Sequence, residues 1–109
     1  MKRVSLLRRL PGLTPDEFVA HWSGAHVEIV RRLPGVRGIR LGVVRTWNPS
    51  QSAWDGIGEV WFDSQEAADA AFAGEPLASQ LASDRKLFLG EAQVAFVDEI
   101  TILAPPEQR

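Results

Sequence analysis

The chain has no cysteine and no tyrosine, and it contains no long hydrophobic run. Without cysteine it can form no disulfide framework, no thiolate nucleophile and no cysteine-based zinc or iron–sulfur site. No segment approaches the roughly 18 apolar residues of a membrane-spanning helix, and no apolar signal-peptide core follows the first residues. These absences predict a soluble, cytoplasmic protein with no membrane partner.

A large excess of charge of either sign is also absent. Twelve basic residues, ten of them arginine, are balanced by fourteen acidic residues, which gives a formal net charge of −2. The electrostatic footprint of a nucleic-acid-binding protein is therefore missing. At 109 residues the chain has the length of one domain, 1–109, which buries roughly two thirds of the surface that its unfolded form exposes.

The strongest local signal is the start of a helix. Thr14 followed by Glu17 predicts a capping box, and Pro15 suits the first helical position. Pro34-Gly35 is a typical helix stop. We expect the first helix to span residues 15–33.

His26 is the best catalytic candidate on this helix. At about 100° per residue it falls inside the apolar stripe, with Trp22 about one turn before it. His21 lies about 140° away from His26 on an α-helix, at the polar edge, so the two histidines are not expected to hold one metal ion together. The other residues of the stripe are Phe18, Val19, Ile29, Val30 and Leu33.

The remaining elements are short. Apolar runs predict strands over residues 4–7, 36–47, 57–62 and 92–103, with a loop at 48–52 between the second and the third. Ser64 is a typical N-cap for an alanine-rich helix over residues 65–73, and a second helical piece starts after Pro76. On that piece Asp84 lies seven residues after Leu77, on the apolar stripe and not on the outer face.

The order strand, helix, strand, strand, helix, strand predicts an α+β fold of the ferredoxin-like split βαβ type, an antiparallel sheet with its helices on one face. Apolar residues at both strand parities suit a sheet that is covered on both sides. Because the helices cover only one face of the sheet, we expect a homodimer in which the other faces of two sheets pack against each other. The apolar strand residues are Leu6, Leu7, Ile39, Leu41, Val43, Val60, Phe62, Val94, Phe96, Ile100 and Ile102.

Two interpretations of His26 are open. A core histidine would bond to a backbone carbonyl, whereas a general acid or base would face a substrate. Apolar neighbours favour the second role, because their desolvation would keep the imidazole neutral and able to accept a proton. Trp22 also has two interpretations: it could line a pocket for a flat substrate, or it could be part of the hydrophobic core.

Asp84 and Arg40 each have two interpretations as well. Asp84 could orient His26 or accept a bond from a substrate hydroxyl, or it could cap a last turn or pair with Arg85. Arg40 shares strand parity with Gly38 and Gly42, whose missing side chains leave room for an anionic or phenolic group. Arg40 could also lie at the dimer seam, in a salt bridge to Glu59 or Glu99.

Motifs for nucleotide, serine-hydrolase and zinc-protease chemistry are missing from the sequence, so no tightly held cofactor and no metal are expected.

The chain resembles the EthD family of the dimeric α/β-barrel superfamily, which also holds the antibiotic-biosynthesis monooxygenases and the methylmuconolactone isomerases. The resemblance spans nearly the whole length. It rests on Leu7-Arg8-Arg9 before Pro11-Gly12, Thr14-Pro15-Asp16-Glu17-Phe18, Trp22, His26, Leu33-Pro34-Gly35, Gly58-Glu59-Val60-Trp61-Phe62-Asp63-Ser64, Asp84 and Phe88.

The resemblance implies homodimers with a cavity between sheet and helices in each subunit. Enzymes among the relatives act without metal or organic cofactor on phenolic, polyketide-like or lactone molecules. By position, His26 matches the family's helix histidine, Trp22 its preceding aromatic residue and Asp84 the acid before the final strand. Ile39 stands where many relatives have a tyrosine, so a mechanism that needs a phenol from that strand is not expected.

We therefore expect a cofactor-independent enzyme in which His26 moves a proton on a phenolic, polyketide-like, quinone-like or lactone substrate. Asp84 and Arg40 are the further catalytic candidates, and the reaction could be that of an isomerase, cyclase, decarboxylase or monooxygenase. The alternatives are a non-catalytic binding or accessory dimer that supports an oxidative degradation or biosynthetic pathway, and haem binding. The expected substrate-binding residues are Phe18, Trp22, Leu41, Trp61 and Phe88.

Overall fold

The computed structural model describes residues 1–45 and 54–106. Its strands are β1 (Lys2–Arg9), β2 (Gly38–Val43), β3 (Gly56–Trp61) and β4 (Leu89–Val97). Its α-helices are α1 (Pro15–His21), α2 (Val27–Val30), α3 (Gln65–Ala73) and α4 (Leu77–Arg85). A π-helical turn, Trp22–His26, joins α1 to α2.

The four strands form one sheet in the order β2-β3-β1-β4, in which all neighbours are antiparallel. This topology confirms the predicted α+β, ferredoxin-like arrangement. Successive side chains of a strand point to opposite faces. Arg3, Ser5 and Leu7 of β1 therefore share the face that meets the helices, and Val4 and Leu6 lie on the opposite, outer face.

The predicted helix caps are confirmed. The Thr14 hydroxyl accepts from the Glu17 amide at 3.1 Å, and the Glu17 carboxylate accepts from the Thr14 amide at 2.9 Å. Ser64 caps α3 in the same way, through a bond from the amide of Ala67. These bonds satisfy amide donors that a helix start leaves free. α1 and α3 therefore begin where the sequence predicts.

The first helix is not the single α-helix that was predicted over residues 15–33. Its middle turn is π-helical, and its last α-helical residue is Val30. Ser23 and Gly24, both weak helix formers, lie in this turn, and the Ser23 hydroxyl donates to the carbonyl of Val19 at 2.7 Å. Gly35, at φ +85°, supplies the left-handed residue after the helix end.

Two predicted strands are shorter in the structure. The strand predicted over 92–103 ends at Val97, which pairs with Lys2, the first residue of β1. Ile100 and Ile102 therefore lie outside the sheet, with 86% and 90% of their surface exposed. The strand predicted over 36–47 ends at Val43; Trp47 and the loop predicted at 48–52 lie outside the described residues.

The core consists of two clusters between the sheet and the helices. The larger one joins α2, α3 and α4 to β3, and the smaller one joins α1 and the π-helical turn to β1. The buried residues of the larger cluster are Val30, Leu33, Val60, Phe62, Ala68, Ala71 and Leu81. Those of the smaller cluster are Leu7, Phe18, Trp22 and Phe88.

In the part of the chain that the structure describes, no helix is long and apolar enough to span a bilayer.

The indole of Trp22 lies directly over two glycines of β3. A Cβ atom on Gly56 would lie 2.6 Å from Trp22 Cη2 and closer still to Cζ3, and one on Gly58 would lie 3.4 Å from Cζ2. The missing side chains therefore make the space that the ring occupies.

We expect Gly56→Ala to lower the free energy of unfolding by about 1–3 kcal/mol, because the new methyl group overlaps the Trp22 ring. Urea denaturation measures this change. Gly42→Ala is the matched control: its Cβ would meet no atom closer than 3.5 Å, so we expect unchanged or slightly higher stability. Equal effects of the two substitutions would contradict the packing argument.

Candidate active site

We call α1, the π-helical turn and α2 together the first helical segment. A cavity of about 270 Å³ lies between this segment and the sheet. Its walls are mainly apolar, with a few polar groups that come from β1, α4 and the π-helical turn. The side chains that line it include Arg3, Ser5, Trp22, His26, Leu41, Arg85 and Phe88. This combination of apolar walls and few polar groups is typical of small-molecule sites.

His26 is held at this cavity by the carboxylate of Asp84. The distance between His26 Nδ1 and Asp84 Oδ2 is 2.9 Å, and both side chains are nearly buried, with 12% and 10% of their surface exposed. An ionised carboxylate only accepts hydrogen bonds, so it favours the tautomer that carries the proton on Nδ1. In that tautomer Nε2 is the free acceptor of the ring.

His21 binds the other oxygen of the same carboxylate. His21 Nε2 lies 2.9 Å from Asp84 Oδ1, and its side chain is 25% exposed. The predicted placement of His21 at the polar edge, about 140° from His26, is therefore wrong. The π-helical turn is the reason, because its i to i+5 bonds bring residues five apart onto the same side of the helix.

Aromatic rings support the two imidazoles. The Phe88 ring is fully buried; its centroid lies 5.0 Å from that of His21, nearly parallel to it, and 4.8 Å from that of His26. Phe18 packs behind this group, 5.4 Å from Trp22 and 5.7 Å from Phe88. The two histidines are therefore fixed by a carboxylate on one side and by rings on the other.

Burial lowers the pKa of His26 below its usual value of 6.5, and this effect outweighs the hydrogen bond and the charge of Asp84, which raise the pKa. The charges of Arg85 and His21 lower the pKa further. The imidazole is therefore neutral at pH 7 and is available as a base.

The three side chains His21, His26 and Asp84 do not form a metal site. Within residues 1–45 and 54–106, no group of three or more His, Asp or Glu side chains is placed to hold a metal ion. Both carboxylate oxygens of Asp84 are already bound by imidazole nitrogens. The chemistry available to this group is proton transfer.

The structure brings together most of the residues that the sequence singled out. Trp22, Leu41 and Phe88 line the cavity with His26, and Asp84 contacts the His26 ring from behind. Phe18 does not line the cavity; it is fully buried beneath Trp22 and Phe88.

Arg40 and Trp61 lie elsewhere. Trp61 packs over Gly38 on the outer face of the sheet, and the Arg40 guanidinium lies 5.5 Å from its ring centroid. The space that Gly38 leaves is therefore filled by an indole and is not open to a ligand. Trp61 Nε1 donates to Glu99 at 2.9 Å, and Lys2, not Arg40, forms the ion pairs to Glu59 and Glu99.

Sequence reasoning missed four polar residues of the site. Arg3 and Ser5 reach the cavity because they share a strand face with Leu7, and Arg85 reaches it from the end of α4. A strand predicted over 4–7 leaves Arg3 out, so only the longer observed strand reveals its orientation. The fourth residue, His21, had no signal in the sequence, because a spacing of five residues places two side chains on different sides of an α-helix.

We expect Asp84→Asn to lower the pKa of His26 further, because the substitution removes a hydrogen bond and a negative charge that raise it. An NMR titration of the imidazole protons measures the change. Asp63→Asn, at an exposed carboxylate paired with Arg37, is the control and should leave the His26 titration unchanged. A higher pKa in the Asp84→Asn variant would refute the assigned contact.

Comparison of the sequence with known families and proteins gives two matches. A family model described as the EthD domain matches residues 10–92. An uncharacterized 11.0 kDa protein in the thcB-thcC intergenic region of Rhodococcus erythropolis is 29% identical over 104 residues, which covers 94% of this chain and 99% of that protein.

Solved structures share the fold. An EthD family protein from Bacillus halodurans C-125 superposes with a TM-score of 0.74 at 19% identity, covering 91% of this chain and 97% of that one. A dimeric ferredoxin-like protein of unknown function from Jannaschia sp. CCS1 gives a TM-score of 0.65 at 15% identity, covering 90% and 97%. Because the EthD model matches most of its length, the chain belongs to the EthD family.

Proposed function

We propose that the protein is a cofactor-independent enzyme in which His26 transfers a proton on a phenolic, polyketide-like, quinone-like or lactone substrate. The supporting observation is the His26 ring itself, which lines the cavity while Asp84 holds its Nδ1. A buried imidazole with one nitrogen oriented by a carboxylate and the other free is the usual arrangement of a histidine base.

The proton step follows from this geometry. Nε2 of neutral His26 removes a proton from an acidic C–H or O–H group, and the electron pair stays on the substrate as an enolate or phenolate. The Asp84 carboxylate stabilises the imidazolium that forms. Return of the proton to another atom completes an isomerisation. The same anion can also undergo cyclisation or loss of CO₂, or it can be oxygenated with dissolved molecular oxygen as the oxidant.

Shape and polarity of the cavity support a small flat substrate. A volume of about 270 Å³ is near the lower end of ligand pockets, which begin at roughly 300 Å³. Trp22 and Phe88 offer ring faces, and Leu41 closes the β2 side. Asp84 and His21 act in this proposal as positioning residues, because neither lines the cavity.

Hydrogen–deuterium exchange tests the proposal before a natural substrate is known. A panel of unsaturated γ-lactones and resorcinols is incubated with the protein in D₂O, and NMR follows the loss of acidic C–H signals. We expect catalysed exchange with panel members that fit, and a loss of about 10²-fold or more in His26→Gln. His21→Gln should lower the rate less than His26→Gln does, because His21 holds the Asp84 carboxylate but does not itself line the cavity.

Unchanged exchange in His26→Gln would refute the role of His26. If panel members bind but no exchange is catalysed by the unaltered protein, the protein is a non-catalytic binding or accessory module and the enzymatic proposal is wrong.

We also propose that the protein is a homodimer. Val4, Leu6, Ile57 and Trp61 lie on the outer face of the sheet, and within the described part of the chain none of them belongs to a core cluster. Burying these side chains against a second sheet would remove apolar surface from water. The Jannaschia protein of the same fold is described as dimeric.

We expect sedimentation equilibrium to give the mass of a dimer, and Ile57→Asp to shift it toward the monomer because a charge would be buried in the interface. Leu87→Asp, at a residue that is 60% exposed after α4, should leave the mass unchanged. A monomeric mass for the unaltered protein would exclude the dimer.

A further inference from the structure

Two arginines line the same cavity as His26. Arg3 projects from β1, and Arg85 projects from the last residue of α4, directly after Asp84. The Arg3 guanidinium carbon lies 4.0 Å from the centroid of the Phe72 ring, which holds the side chain against the apolar wall. The titratable groups that line the cavity are thus two guanidinium cations and one neutral imidazole.

Within the described residues, neither guanidinium forms an ion pair. Among the described residues, every ion pair joins other side chains, and no hydrogen bond to Arg3 or Arg85 side chains is formed. Arg9 and Arg37, by contrast, each pair with an aspartate. Two unpaired cations in one apolar cavity are unusual, because burial of a charge is unfavourable unless a partner compensates it.

The pKa values of both arginines are lowered, as expected for cations that are buried without an ion-pair partner. Burial, followed by the charge of Arg85, lowers the pKa of Arg3 from 12.5 to about 10, against a smaller opposing effect of Asp69. Burial also lowers the pKa of Arg85. Both groups remain cationic at neutral pH, and they repel each other. An anion in the cavity would relieve the desolvation and the repulsion together.

We propose that the cavity binds a small planar carboxylate, whose oxygens are held by Arg3 and Arg85 while its apolar body lies against Trp22 and Phe88. A guanidinium presents its donors in a flat fork that matches the two oxygens of a carboxylate. Apart from these two arginines, no Asp, Glu, Lys or Arg side chain of the described residues lines the cavity, so the apolar body of the ligand would face uncharged side chains. A ligand that fills the cavity also lies against His26.

This inference names the substrate class of the proposed enzyme, and its catalytic meaning rests on the proposed function. Binding itself requires no turnover, so the two can fail separately. A carboxylate bound beside His26 would place the reacting part of an acid substrate near Nε2, and the two cations would also stabilise negative charge that develops during proton removal.

Calorimetric titration with 2-naphthoate and with its neutral analogue 2-naphthamide tests the proposal. The two probes share the ring system, and only the first carries a charge. We expect 2-naphthoate to bind at least about tenfold more tightly than the amide. Arg3→Gln and Arg85→Gln should each weaken naphthoate binding by about tenfold or more and remove most of the preference.

Arg40→Gln is the matched control, because Arg40 lies on the outer face of the sheet and should not affect binding. Thermal unfolding separates a binding role from a structural one: without ligand, Arg3→Gln should be as stable as the unaltered protein or more so, since it removes an unpaired buried cation. Failure of Arg3→Gln to fold, while Arg85→Gln retains the preference for naphthoate, would overturn the proposal.

Equal affinity for the two probes, no binding of either, or an equal loss in Arg40→Gln would also overturn it. His26→Gln separates the two proposals, because it should slow exchange by about 10²-fold or more and yet keep the preference for 2-naphthoate over the amide, which depends on the arginines. Charge-selective binding with unchanged exchange in His26→Gln would leave the carboxylate site standing and refute the proton transfer.

Discussion

The carboxylate of Asp84 connects the parts of the molecule that meet at the cavity. It accepts hydrogen bonds from His21 and His26, and it thereby ties α4 to the first helical segment. A buried carboxylate is stable only with donors, and two imidazole N–H groups supply them. This contact favours the His26 tautomer that carries the proton on Nδ1, and together with the Phe88 ring it fixes the direction of the imidazole.

The two faces of the sheet serve different purposes. On the inner face, the missing side chain of Gly56 leaves space for the Trp22 ring, and Arg3 contributes a charged group to the cavity. The outer face carries Trp61 and its polar contacts, away from the helices. Alternation along a strand separates these functions, because neighbouring residues point to opposite sides.

Much of the fold and part of the site were predictable from the sequence. The capping box set the start of α1, and the apolar stripe of α4 placed Asp84 on the buried side. The same periodicity turned His26 inward. These features are local, because they depend on residues within one or two turns of each other. Strand ends were less predictable, since β4 stops where its partner β1 begins and not where its own apolar run ends.

The sequence by itself determined the helix boundaries at α1 and α3, the strand order typical of the fold and the inward orientation of one histidine. Only the tertiary structure decided which groups share the cavity. His21 joined His26 because five residues adopted a π-helical turn, and Arg3, not Arg40, became the inner cation because strand register assigns faces. Both outcomes depend on hydrogen bonds between distant or alternative partners, which a pattern of apolar residues does not encode.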